Sequence, residues 1–192
     1  MVIGPDGRRH GGCSRPAVRF LHQGKGQWTL RFLGRVENKL DAKGRVSVPA
    51  AFRAALDKTG PFDGIYALRT ANADAIDVLE HAFLQRLHAS YAHLDYMSPE
   101  REAAMALFGE AQPLAFDANG RIQLTPDLIE YAGLSDRVLF VGRADTFQMW
   151  NPERYEVHAK EQRERIRSGG MRLGPLTPPP AAAPLIGPGA AR

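Results

Sequence analysis

Cysteine is nearly missing from this chain: Cys13 is the single thiol among 192 residues, which excludes an intrachain disulfide framework and any zinc site built on several cysteines. That scarcity suits a reducing compartment, so a cytoplasmic location is expected. Apolar runs near the ~20 residues needed to span a bilayer are also missing, and no membrane partner is expected. The Arg8-Arg9 pair does not open an export signal, because His10-Gly-Gly-Cys-Ser-Arg15 follows it in place of an uninterrupted apolar segment. Catalytic signatures are lacking too. The histidines (His10, His22, His81, His88, His93, His158) form no His-Glu-x-x-His, and neither Gly-x-Ser-x-Gly nor a phosphate-cradling glycine loop occurs. His81 and His88 share a helix face seven residues apart and would need a third ligand; without the short-range spacing of zinc sites, a surface pair is the commoner outcome. No enzyme, cofactor, metal or small-molecule substrate is expected.

Acidic residues are the minority, 21 Asp and Glu against 25 Lys and Arg, and the formal charge of +4 favours an anionic partner such as nucleic acid. Residues 1–30 hold six glycines and five basic residues (Arg8, Arg9, Arg15, Arg19, Lys25) against the lone Asp6, and read as a flexible basic extension. Residues 168–192 carry six of the fourteen prolines, each removing a backbone donor, and read as a disordered Pro/Gly/Ala tail. The folded unit is therefore expected between residues 31 and 167.

Within that unit Asp41-Ala-Lys-Gly-Arg45 recurs as Asp117-Ala-Asn-Gly-Arg121, 76 residues later. Val46-Ser-Val48-Pro49 and Ile122-Gln-Leu124-Thr-Pro126 follow the two copies. Alternating apolar residues predict half-buried strands, and each proline ends its strand and opens a short helix, at Ala50–Leu56 and Asp127–Ala132. Between the copies, Ile76, Leu79, Phe83 and Leu87 recur at three and four and predict a helix; Ser98-Pro99-Glu100 starts a second one reaching Phe108. Strands are predicted at Arg137–Val141 and Thr146–Trp150 around a turn, then a charged helix from Asn151-Pro152 to near Arg167.

In the repeated turn the aspartates (Asp41, Asp117) accept from backbone N–H groups and the glycines (Gly44, Gly120) supply a positive φ. Arg45 and Arg121 come next, free either to pair with their aspartates or to reach a phosphate or a guanine edge. The plainer reading is an ordinary Asp-Gly hairpin closed by a salt bridge. From Arg31 to Arg53 there are six basic residues (Arg31, Arg35, Lys39, Lys43, Arg45, Arg53) and two acids, whereas Pro113 to Glu130 has only Arg121 against Asp117, Asp127 and Glu130. The first copy, with Arg35 and Lys39, would supply more phosphate attraction; the second offers Arg121 and the Asn119 amide. The bland alternative is a solvated strand face. Trp28, Phe32 and Trp150 are candidates for base stacking, with burial the commoner fate of Trp150. The run Glu161–Arg167 reads as a solvated face with local ion pairs, and Arg8 to Lys25 as a nonspecific DNA anchor.

RFLGRVENKLDAKGRVSVPAAFRAAL, DANGRIQLTPDLIEYAGL and VLFVGRADTFQMWNPERY, in this order from about Phe32 to Tyr155, together resemble the MraZ family of bacterial transcriptional regulators. The resemblance implies an α+β fold: two pseudo-symmetric SpoVT-AbrB-like hairpin halves forming an interlocked small β-barrel with flanking helices. Its parts would be a first repeat at 31–80, connecting helices at 81–111, a second repeat at 112–154 and a charged helix at 155–167. It further implies a ring-shaped homo-oligomer that binds direct repeats in double-stranded DNA upstream of its own division and cell-wall gene cluster, usually as a repressor. Carried over by motif, Arg45, Arg121 and Lys43 are the DNA contacts, while Asp41, Gly44, Asp117 and Gly120 shape the loops. Asn119 stands where the first copy has its lysine. Residues 1–31 fall outside the resemblance, as a lineage-specific extension or a wrongly assigned start. The alternative from another class is a non-enzymatic scaffold ring in which the turns are structural.

Overall fold

The computed structural model describes residues 30–58 and 60–169. The basic extension with its Arg8–Lys25 anchor, Trp28, and the proline-rich tail beyond Gly169 lie outside the described residues. In chain order the elements are β1 (Arg35–Lys39), β2 (Arg45–Ser47), α1 (Ala50–Ala55), β3 (Gly64–Arg69), β4 (Ile76–Leu79), α2 (His81–Tyr91), α3 (Pro99–Glu110), β5 (Gln112–Ala115), β6 (Arg121–Gln123), α4 (Pro126–Ala132), β7 (Arg137–Arg143), β8 (Thr146–Trp150) and α5 (Pro152–Arg167).

The strands form a six-stranded sheet in the order β1-β7-β8-β4-β3-β5 and a two-stranded ribbon of β2 with β6, every pairing antiparallel. The first four strands do not form a sheet by themselves. β1 pairs with β7 and β5 with β3, so each outer strand is held by the other half of the chain. Exchanging each strand for the one four places along reverses the sheet order onto itself.

The structure corrects the expectation of a closed barrel. The six-stranded sheet is open, with β1 and β5 as its edges, and the ribbon is a separate ladder joined to β1 through the isolated Leu40–Val46 bridge. The physical cause is strand length. Pro49 and Pro126 follow β2 and β6 closely, so each ends after three residues, too short to ladder with both a partner strand and a sheet edge.

A second correction concerns residues 76–87. Ile76 and Leu79 lie on β4, and the helix begins only at His81, after Glu80. Ile76, Val78 and Leu79 are all buried in a central strand, so no alternation marks it, and a three-and-four spacing arises by coincidence. The starts of α3, α4 and α5 follow their caps. The Ser98 hydroxyl accepts from Arg101 N–H, Thr125 from Leu128 N–H, and Asn151 from Glu153 and Arg154 N–H, each ahead of a proline in the first turn.

The main core lies between the sheet, the ribbon and helices α1 and α4. Phe147 is its centre, with ring centroids 5.1 Å from both Phe32 and Phe52 and 6.2 Å from Phe140. Val46, Val48, Ile122, Leu124 and Leu128 close it from the ribbon side. A smaller cluster of Ala75, Leu139, Val141 and Trp150 is buried on the opposite face, with Tyr155 of α5 against it.

Candidate nucleic-acid interface

The two Asp-x-x-Gly-Arg turns have the same geometry. Asp41 Oδ1 accepts from Lys43 N–H and Arg45 N–H, both at 2.9 Å, and its Oδ2 accepts from Arg45 Nε at 2.8 Å. Asp117 Oδ1 accepts from Asn119 N–H at 2.8 Å and Arg121 N–H at 2.9 Å, and its Oδ2 from Arg121 Nε at 2.7 Å. Gly44 and Gly120 then donate back to the carbonyls of their aspartates with φ of 75° and 70°, a region an L side chain rarely adopts. Backbone donation from Arg45 and Arg121 is the leading reason both carboxyls sit below the usual aspartate range, with their guanidinium hydrogen bonds adding to it.

The ribbon sets these turns side by side. Val46 lies opposite Ile122 and both point into the core, so Arg45, Ser47, Arg121 and Gln123 share the other face. Arg45 pairs with Gln123 and Ser47 with Arg121, which makes the two arginines diagonal neighbours, a relation that puts Cα atoms about 7–8 Å apart. Each arginine engages its aspartate through Nε alone. Among the described residues nothing else bonds its terminal nitrogens, and the side chains remain 36% and 34% exposed. A DNA major groove, about 12 Å wide, admits a two-stranded ribbon of this kind.

Each turn is also braced by the helix of the opposite half. A Cβ on Gly44 would lie 3.0 Å from Ile129 Cδ1 of α4, and one on Gly120 would overlap the guanidinium of Arg53 of α1. The ribbon ladder continues into the turns, with Val48 N–H bonded to Gly120 O at 3.2 Å and Leu124 N–H to Gly44 O at 2.9 Å. Gln123 Nε2 donates to Lys43 O. Arg53 and Gln123 therefore join the site without having been assigned to it by motif. The signal was available in the repeat offset, which places Arg53 and Ile129 at equivalent positions.

The remaining sequence candidates divide. Lys43 and Asn119 are exposed at the tips of the turns, and Lys39 is exposed at the end of β1. Arg35 is drawn instead to α5, with Nη1 2.8 Å from Glu156 Oε1 and its guanidinium over Tyr155. Phe32 and Trp150 are buried at 1% and 2% exposure and offer no stacking surface; Trp150 Nε1 donates to Gln148 Oε1 at 2.8 Å. The His81 ring meets the Tyr66 hydroxyl and His88 stands edge-on to Phe108. Among the described residues no three His, Cys, Asp or Glu side chains are grouped to hold a metal. No helix among them is long and apolar enough to cross a membrane. The Glu161–Arg167 stretch is largely solvated, with Arg167 4.0 Å from Glu164.

Comparison with known proteins gives a consistent result. Residues 107–169 match the family model described as "MraZ protein, putative antitoxin-like". A relative from Beijerinckia indica, named transcriptional regulator MraZ, is 39% identical over 155 residues, covering 80% of this chain and 94% of its own length. One of the same name from Methylocella silvestris is 40% identical over 160 residues, 83% and 97% of the two chains. A third, from Parvibaculum lavamentivorans, is 42% identical over 137 residues, 70% and 84% of the two.

Proposed function

Because the chain belongs to the MraZ family, we propose that it is a transcriptional regulator that binds double-stranded DNA with the face of the β2–β6 ribbon. Arg45 and Arg121 are its base-reading residues, Lys43 and Asn119 flank them, and Lys39 adds phosphate attraction from β1, with Arg35 contributing only if it leaves its Glu156 partner. Asp41, Gly44, Asp117 and Gly120 hold the turns in shape. The observation that carries this reading is the commitment of each arginine through Nε only, which orients the guanidinium and leaves its two terminal nitrogens for a bidentate contact.

In this reading the two SpoVT-AbrB-like repeats, 31–80 and 112–154, are pseudo-symmetric halves joined by the helices of 81–111, with the helix of 155–167 docked on the second. One ribbon offers two reading arginines and would bind weakly. A ring of subunits aligns several ribbons along direct repeats in the chain's own promoter, so grip comes from effective concentration. The regulated genes would be the adjoining division and cell-wall cluster, with repression as the outcome of occupancy.

The scaffold alternative also has an observation in its favour: each arginine is ion-paired to the aspartate of its own turn. Arg45→Ala and Arg121→Ala separate the two readings. If the arginines read bases, each change costs about 1–3 kcal/mol of operator affinity with the fold intact. If the turns are scaffold, the changes lower stability and leave any DNA binding weak, nonspecific and salt-sensitive in both proteins.

A further inference from the structure

The two turns differ in charge. The first presents Lys43 and Arg45, while the second has the neutral Asn119 in the lysine position and retains only Arg121. Their supporting helices differ in the opposite sense. Ile129, an apolar residue, packs beside Gly44, but the equivalent position against Gly120 is the guanidinium of Arg53.

Arg53 is half-buried on α1, and its Nε donates to Val48 O at 3.1 Å. That bond lays the guanidinium on the backbone of the Asp117–Arg121 turn, in the space a side chain at residue 120 would fill. Among the described residues Arg53 forms no ion pair, and Nε is the only one of its side-chain nitrogens that makes a hydrogen bond. Asp117, the acid of the turn it covers, is already bonded to Arg121. Arg53 also borders a cleft of about 480 Å³ that includes Lys58, Asp57, Asp63, Asp117 and Gly120, so the acids there are partly offset by Lys58.

We propose that Arg53 is the second phosphate-binding cation of the Asp117–Arg121 turn, supplied across the ribbon by the other half of the chain in place of a lysine at residue 119. Each turn then carries two cations, Lys43 with Arg45 and Arg53 with Arg121, although the sequence motif shows two in only one of them. This rests on the DNA-binding reading above and deepens it by naming a further contact. The glycine at 120 acquires a second purpose: a Cβ there would push the guanidinium off the turn.

The test is the salt dependence of binding to a duplex from upstream of the chain's own coding sequence, with a scrambled duplex as control and thermal melts of every variant. Arg53→Gln keeps a helix-favouring residue with a donor, and should reduce the slope of log K against log salt by about 0.9 for each engaged turn. Adding Asn119→Lys to it should restore the slope. The converse pair works on the first turn: Lys43→Asn should lose the same increment and Lys43→Asn with Ile129→Arg should regain it, which decides the matter even if Arg53→Gln fails to fold. Slopes that stay at the wild-type value while melting temperature falls would make Arg53 a structural strut and overturn the proposal. Equal binding of both duplexes by the unaltered protein would remove the DNA reading, and this inference with it.

Discussion

Asp41 and Asp117 each accept three hydrogen bonds from their own turn, two from backbone N–H groups and one from the arginine Nε. Their carboxyls are consequently easier to ionise folded than unfolded. The stabilisation is fully present above the ordinary aspartate value of 3.8 and is lost as pH falls through it toward the lowered folded values. The double change Asp41→Asn, Asp117→Asn should therefore be less stable than the unaltered chain in urea at pH 7, and that gap should narrow steadily as pH falls below 3.8. A gap that is constant across this range would contradict the account. The glycines make a second residue-scale prediction. Gly34 and Gly44 both have positive φ, 82° and 75°, but a Cβ at Gly34 meets nothing within 4 Å whereas one at Gly44 lies 3.2 Å from Leu124 O. Gly34→Ala should cost about 1 kcal/mol, the left-handed backbone cost alone, and Gly44→Ala clearly more. Equal losses in urea denaturation would mean that the turn is not packed as described.

At the scale of elements, Asn151 joins α5 to the rest of the fold. Its Oδ1 caps the helix by accepting from Glu153 and Arg154 N–H, while Nδ2 donates to Gly133 O at 2.7 Å. Asn151→Asp keeps the cap and loses the donor; Asn151→Ala loses both and should cost about 1 kcal/mol more in thermal or urea melts, the usual worth of a cap. Identical losses would place the energy in the Gly133 contact instead. Elements of this kind were legible in the sequence because their signals are local: Ser98, Thr125 and Asn151 stand directly before Pro99, Pro126 and Pro152. The strand at Ile76–Leu79 was not, because a central strand buried on both faces loses its alternation, and Leu79, Phe83 and Leu87 continue the same apolar spacing across the strand–helix junction. The candidate site was half legible. The repeated motif exposed Asp41, Arg45, Asp117 and Arg121, whereas Arg53 reaches the second turn through a contact spanning the two halves, to which only the 76-residue offset pairing it with Ile129 points.

Across the whole folded unit, the chain's two halves are interleaved. β1 is held by β7, β5 by β3, and β2 by β6, so none of these pairs exists within one half. Fragments 30–111 and 112–169 should each be unfolded as monomers by circular dichroism and regain strand signal when mixed; a folded monomeric half would contradict the topology. The same nonlocal pairing explains why closure into a barrel was expected and is not found. Repeats show which segments are equivalent, but whether strands of three residues can join a ladder to a sheet edge depends on where Pro49 and Pro126 stop them. The interleaving also has a functional consequence: it brings Arg45 and Arg121, 76 residues apart in sequence, onto one face of one ribbon. The most direct test of that central claim is binding of the full chain to its own upstream DNA at two salt concentrations, compared with the folded Arg45→Ala, Arg121→Ala double variant. The account predicts specific binding that the double variant loses while its circular dichroism and size are unchanged. Equal, weak and salt-labile binding by both proteins would contradict it and leave the turns as scaffold.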